Sequence, residues 1–246
     1  MAGSREDAWG VERKFREGQA TQVLDTLFFD FIELAKKLQP KVVIAENVKG
    51  LLQGDAKKYV QRIYRDFEDA GYYCQHWLLD AQYMGVPQRR ERVFFVCLRK
   101  DLIDQVPCSS NLFETFPKLD LEFNETPITC ENAELELGDP ITTRCYAEEY
   151  DRLKAGQPKT YLQCCLYSKD SVHPTLIAGY RSKASPMPDW GKQWLSVSDI
   201  CKVSSFPQDY NFGNQKAEYI CGMSVPPIMI AQIATRVYEQ WLTKIK

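Results

Sequence analysis

The stretch KVVIAENVKGLLQG, residues 41–54, decides how this chain reads. It opens as a short apolar run, Val42 to Ala45, and sets Glu46 and Asn47 where that run stops. Branched apolar residues in so short a run fit a buried strand. In open α/β sheets, ligands bind beyond the carboxyl ends of the strands, so a carboxylate and an amide at this point are candidates for chemistry. The same residues also admit a plainer reading, in which Glu46 caps a turn or pairs with Lys49.

The flanks supply the rest of an α/β pattern. Between Thr21 and Gln39, Leu24, Leu27, Phe28, Phe31, Ile32, Ala35 and Leu38 fall at helical spacing, and Pro40 ends the run. After the strand, Asp55 can cap a second helix carrying Tyr59, Val60, Ile63, Tyr64 and Phe67 on one side, which Gly71 can close in the left-handed conformation. The runs YYCQHWLL and RVFFVCL then read as two strands joined by the loop DAQYMGVPQRRE. Helix, strand, helix, strand, strand is the order of an α/β domain, assigned here to residues 1–105. From 106 to 190 the pattern breaks into short pieces without a sustained period and reads as a separate small lobe. Residues 191–246 return to order: Ser196 and Asp199 stand three apart as in a capping box, and Pro226 and Pro227 open a terminal helix.

Composition bounds the function classes. The 246 residues are 44% hydrophobic, ample for a packed core, and their formal net charge of −2 argues against a protein that coats nucleic acid by charge alone. Nine cysteines without a CxxC pair, and only His76 and His173 for imidazole, disfavour structural zinc and suggest reduced, mostly buried thiols. No stretch reads as a continuous apolar run of the roughly 18–20 residues that cross a bilayer, and MAGSREDAWG is too charged for a secretory signal. The expected location is intracellular, cytoplasmic or nucleoid-associated, with no membrane and no metal as partners.

A second candidate is QRRERVFFV, where Gln88, Arg89, Arg90, Glu91 and Arg92 crowd the start of an apolar strand. Alternation puts Arg90 and Arg92 on one face, where rigid guanidinium forks suit a phosphate or a planar base. Standing alone, such a run also reads as a solvated charge cluster. It does not stand alone. AENVKGLL, DAQYMGVPQRRERVFFV, SVSDICKVSSFPQDY and GMSVPP occur in this order, and together they resemble the DNA cytosine-5 methyltransferases over most of the chain, most weakly between Val106 and Val172.

The resemblance implies part of a Rossmann-like, S-adenosylmethionine-dependent methyltransferase sheet plus a small irregular target-recognition lobe. Members flip a cytosine out of double-stranded DNA, attack its C6 with a cysteine thiolate and methylate C5 from S-adenosylmethionine. In these terms Glu46 would meet N3 and the exocyclic amine of the base. Arg92 would bind the base and orient Glu46, while Arg90 would brace the site or meet phosphate. Asn47 would fix the turn after the strand and Gln88 would shape the loop. Ser224 and Val225 would lie near the methionine moiety of the cofactor; Met223 stands where the family usually has asparagine, which loses a polar contact. Arg5, Arg13, Lys14, Arg16 and Arg89 would touch DNA phosphates.

Two family signatures are not found: the glycine-rich cofactor loop and the proline-cysteine nucleophile. MAGSREDAWG resembles the sequence just after that nucleophile, and VPCSS, with Pro107 and Cys108, lies too far along the chain to replace it. The expectation is a base-binding and target-recognition portion, of the kind found in restriction-modification systems, inactive alone and dependent on a companion polypeptide that carries loop and thiol. Two alternatives stay open at this level: a non-catalytic DNA-binding or regulatory remnant, and part of an RNA cytosine-5 methyltransferase. Groove-contact candidates in the lobe are Arg144, Tyr146, Lys159 and Tyr161.

Overall fold

A computed structural model of the chain describes residues 27–107, 116–160, 164–182 and 185–246, with the Asp55 side chain outside that set. The expected contributions of Arg5, Arg13, Lys14, Arg16, Cys108, Tyr161 and the Asp55 cap lie outside the described residues.

The anticipated order appears. α1 (Leu27–Leu38) leads into β1 (Val42–Val48), α2 (Lys57–Asp69), β2 (Tyr72–Asp80) and β3 (Glu91–Arg99). Gly71 has φ +91, the left-handed conformation that ends α2 without a Cβ penalty. The three strands form one sheet in the order β1-β3-β2, and β1 runs antiparallel to β3, with Glu46 opposite Phe94 and Val48 opposite Arg92. α1 turns Phe29, Ile32 and Ala35 inward, α2 adds Ile63 and Phe67, and these share a core with Val43, Ala45, Phe95 and Cys97 of the sheet. Burying each of the larger side chains contributes about 1.5–3 kcal/mol. The central strand β3 is covered on both faces, since Val93 through Leu98 are all fully buried. That is why it reads as a continuous apolar run, whereas edge strand β1 fades into polar residues.

The lobe contains more regular structure than expected. β4 (Leu137–Pro140) pairs antiparallel with β7 (Gln193–Leu195), β5 (Leu166–Tyr167) pairs parallel with β6 (Met187–Pro188), and α3 spans Arg144–Lys154. The helix escaped the sequence reading because it is short and mostly polar; only Glu149 and Tyr150 are buried in it. α4 (Val197–Val203) carries the expected capping box: the Asp199 N–H donates to Ser196 Oγ, and the Ser196 N–H donates to the Asp199 carboxylate. α5 (Ala217–Met223) and α6 (Pro227–Val237) follow, with a π-helical turn over Tyr238–Leu242.

The chain divides into two compact units that cut across the three successive blocks expected. The first holds the sheet with α1 and α2, and it recovers Arg236–Lys246 from the chain end. The second joins the loop Asp80–Arg90 to Glu122–Thr235. The loop belongs there because buried Gln88 donates to the Val203 carbonyl at 3.0 Å and accepts from the Leu176 N–H at 3.1 Å. One 26-residue stretch, Ala217–Leu242, is long and apolar enough to span a bilayer, a length the sequence reading had not credited. Extended backbone at Ser224 divides it into α5 and α6. Met229, Ile233, Val237 and Trp241 in this stretch are buried.

Candidate active site

The two strand ends singled out by sequence meet in the first unit. Antiparallel pairing sets Arg92 opposite Val48, two residues along β1 from Glu46, and alternation puts both charged side chains on one face. Arg92 Nε lies 2.9 Å from Glu46 Oε1. Arg92 Nη1 also donates to the Glu91 carbonyl at 2.7 Å, which holds the guanidinium plane. The Arg92 side chain is 16% exposed and that of Glu46 33%, so the pair is anchored at the protein yet open on one side. Burial draws the Arg92 pKa down, an effect that Glu46 opposes, and the guanidinium stays charged at neutral pH.

Lys49 does not take Glu46 as its partner. Its Nζ lies 2.8 Å from both carboxylate oxygens of Glu91, so a second ion pair ties the turn after β1 to the first residue of β3. Sequence reasoning missed this strut because the two residues are 42 apart in the chain and only the β1–β3 register brings them together. Asn47 Oδ1 accepts the Val48 N–H at 2.8 Å and fixes the strand end. A carboxyl group beside a guanidinium fork can present both acceptor and donors to one edge of a planar heterocycle, which neither residue offers alone.

Arg90 departs from expectation. It precedes β3 rather than lying on it, is 1% exposed, and belongs to the second unit. Its Nη1 donates to the Leu176 carbonyl at 2.9 Å and its Nη2 to the Gly222 carbonyl at 2.9 Å. Of the two roles expected of Arg90, a guanidinium clamped by two buried carbonyls fits bracing rather than contact with phosphate, and Arg90 does not lie on β3 beside Arg92. Arg89 is exposed; its N–H donates to the His173 carbonyl and its own carbonyl accepts from Thr175 Oγ1.

Ser224 and Val225 lie after α5, both half-buried. Ser224 Oγ donates to the Ile220 carbonyl at 2.7 Å, Val225 has an apolar side chain, and Met223 is exposed. These residues offer no charged or paired polar group for a nucleoside or an amino acid, so by themselves they do not make a site for S-adenosylmethionine. Among the described residues, no group of three or more His, Cys, Asp or Glu is placed to hold a metal ion. Cys74, Cys97, Cys130, Cys164, Cys201 and Cys221 are buried free thiols, and burial pushes the Cys130 and Cys221 pKa values up to about 12, the reverse of what a nucleophile needs. A cleft of about 910 Å³ flanks β2, lined by Tyr64, Tyr73, His76, Trp77 and Phe116 among others; neither Glu46 nor Arg92 lines it.

The helix-strand order and three-stranded sheet are those of a methyltransferase-like α/β protein, and the comparisons with known proteins agree on that class. The model for the C-5 cytosine-specific DNA methylases matches residues 9–171, and the chain belongs to that family. Type II methyltransferase M.BsuFI of Bacillus subtilis is 31% identical over 238 residues, covering 92% of this chain and 54% of its own length. M.BsuRI, from the same organism, is 29% identical over 199 residues, 76% of this chain and 44% of the relative. The chain thus spans about half the length, or less, of these curated relatives. Among solved structures, a DNA modification methyltransferase encoded within an Escherichia coli prophage aligns with a TM-score of 0.66 at 18% identity, over 87% of this chain and 74% of that one. The Dnmt2 methyltransferase of S. pombe aligns with a TM-score of 0.60 at 12% identity, over 87% and 72%. At such identities these two speak for the fold alone.

Proposed function

We propose that this chain is the base-binding and target-recognition portion of a DNA cytosine-5 methyltransferase, acting on a cytosine flipped out of double-stranded DNA. The observation that carries the reading is the 2.9 Å Glu46–Arg92 pair at adjoining strand ends. Cytosine presents an amine donor beside the N3 and O2 acceptors. Glu46 accepts from the exocyclic amine and, when protonated, donates to N3, while Arg92 donates to O2 and keeps the carboxyl in register. Thiolate attack at C6 builds negative charge on the ring, and a group able to protonate or hydrogen-bond N3 drains it. Exposed Arg89, with Arg5, Arg13, Lys14 and Arg16, serves phosphates rather than bases.

The thiolate and the S-adenosylmethionine pocket come from outside these residues, on a companion polypeptide or on further chain. The described thiols are raised by burial where a shift is resolved, and Ser224 and Val225 supply too little of a cofactor site. The enzyme works inside the cell, in the cytoplasm or at the nucleoid, where its DNA is. Labelled methyl transfer to duplex DNA tests the reading, with this chain mixed with a polypeptide carrying the glycine-rich loop and the proline-cysteine pair. Glu46→Gln should lower the rate by about 10²–10⁴-fold, the range expected for loss of a positioned proton donor. Undiminished transfer in that variant overturns the assignment, and transfer confined to transfer RNA moves the substrate from DNA to RNA.

A further inference from the structure

Two thiols of the first unit stand against each other across the sheet. Cys74 of β2 and Cys97 of β3 are 23 residues apart in sequence, yet Cys97 Sγ donates to Cys74 Sγ at 2.9 Å. Both are free thiols, and their strands are neighbours in the sheet. Neighbouring strands lie about 4.7–4.9 Å apart, inside the roughly 4.4–6.8 Å between Cα atoms that a disulfide spans. From 2.9 Å, the sulfurs need approach by only about 0.9 Å to reach a bond length of about 2.05 Å.

The two sulfurs differ in access. Cys97 is fully buried in the apolar run of β3, and burial holds its pKa well above the ordinary thiol value. Cys74 is 7% exposed and lines the cleft of about 910 Å³ beside β2. A thiol in a cleft wall is within reach of a solute as small as a peroxide, and a second thiol already in contact with it captures the first oxidation product before it climbs further. Cys201 and Cys221 supply a comparison inside the same molecule: they are buried and bonded to each other too, but neither lines that cleft. Neither Cys74 nor Cys97 has a part in the base-binding chemistry, since Glu46 and Arg92 do not line the cleft.

We propose that Cys74 and Cys97 form a peroxide-sensitive dithiol that closes into a reversible disulfide and staples β2 to β3. The Cys74 thiol gives up its proton and its sulfur attacks one oxygen of hydrogen peroxide. The O–O bond breaks, which leaves a sulfenic acid on Cys74 and a hydroxide that takes the released proton as water. The Cys97 sulfur then attacks the Cys74 sulfur; the S–O bond breaks, and the hydroxyl leaves with the Cys97 proton as a second water. Two thiols are oxidised by two electrons in all, and one peroxide is reduced to two waters. An external thiol reopens the link by exchange. The closed loop contains the segment Asp80–Arg90, so the link also restricts the unfolded chain.

The test uses the whole chain, treated with hydrogen peroxide, alkylated in urea at the thiols that remain and mapped by peptide mass spectrometry. The expected product is a peptide pair joined through Cys74 and Cys97 that vanishes on treatment with dithiothreitol, while Cys201 and Cys221 are still alkylated. Closing the link should raise the urea midpoint by about 1 M, a shift that reductant abolishes. In Cys97→Ala, oxidation should stop at Cys74, where dimedone traps the sulfenic acid; in Cys74→Ala, Cys97 should stay reduced. Mapping of the unaltered chain decides the matter even where a variant folds poorly. Cys74 and Cys97 both still alkylated after peroxide, or a bridge from either of them to another cysteine, overturns the proposal. Dimedone on Cys97 with Cys74 intact also overturns it, because the attack would then begin at the buried sulfur.

Discussion

Arg92 and His173 are both polar side chains in protein surroundings, and their partners decide opposite outcomes. Arg92 stays charged despite its burial and is paired with Glu46 at 2.9 Å, and on the proposed function its planar fork sets the angle at which a base edge is met. Arg92→Lys retains the charge but loses the fork. Methyl transfer by the reconstituted enzyme should fall about 10–100-fold, in proportion to the roughly 1–3 kcal/mol carried by a bidentate contact, with the loss seen mainly as a raised KM. His173 is buried, its Nδ1 is 2.5 Å from the Pro174 carbonyl, and its Nε2 is buried without a partner. Nδ1 must donate to that carbonyl, so the folded ring is neutral, and a second proton would sit on an orphaned nitrogen. Burial pushes the pKa down to about 4 from 6.5, so between those pH values the unfolded chain binds a proton that the folded chain refuses. This stability contribution is fully present above pH 6.5, is lost as pH falls toward 4, and amounts to about 3 kcal/mol. Urea unfolding at pH 7.5 and pH 4.5 should show the drop, and His173→Gln should flatten that part of it.

At the scale of elements, the loop between β2 and β3 is stabilised by backbone carbonyls it meets far along the chain. Arg90 forks onto the Leu176 and Gly222 carbonyls, and Gln88 bonds to Val203 and Leu176. Arg90→Met leaves buried acceptors unpaired and should destabilise the protein by about 2–4 kcal/mol in chemical denaturation; Arg90→Lys should not rescue it, since an ammonium cannot span both acceptors. Gly222 is the counterpart of this clamp. A Cβ there would stand 2.4 Å from the Ala178 nitrogen and from the Ile177 carbonyl carbon, backbone atoms that cannot turn aside. Gly222→Ala should therefore lower the thermal midpoint by several degrees or prevent folding, a loss of about 2 kcal/mol or more. Both effects belong to α5 and the loop as a pair, and circular dichroism melting of the single and double variants should show non-additive losses.

For the whole molecule, a family relationship over most of this chain meets a span of about half the curated relatives' length. Six of the described thiols are buried, while Cys145 and Cys165 are half-buried; on the function proposed above, this chain alone should transfer no methyl group. Adding the loop-and-thiol polypeptide should restore transfer, measured as labelled methyl in duplex DNA. With Arg5, Arg13, Lys14, Arg16 and Arg89 each meeting one phosphate as proposed, the logarithm of DNA affinity should fall with the logarithm of salt at a slope of about −4 to −5, despite the net charge of −2.

The α/β order, the capping box of α4 and the candidacy of Glu46 and Arg92 were legible in the sequence, because strand alternation, helix period and cap chemistry are local and repeat within a few residues. α3 was not legible, since a polar helix held by a few contacts leaves little periodic signal. Nor were the Lys49–Glu91 strut, the buried clamp on Arg90 and the close approach at Gly222. Those outcomes depend on register between strands and on carbonyls some 90 to 130 residues away, and only the packed chain brings such groups within hydrogen-bonding distance.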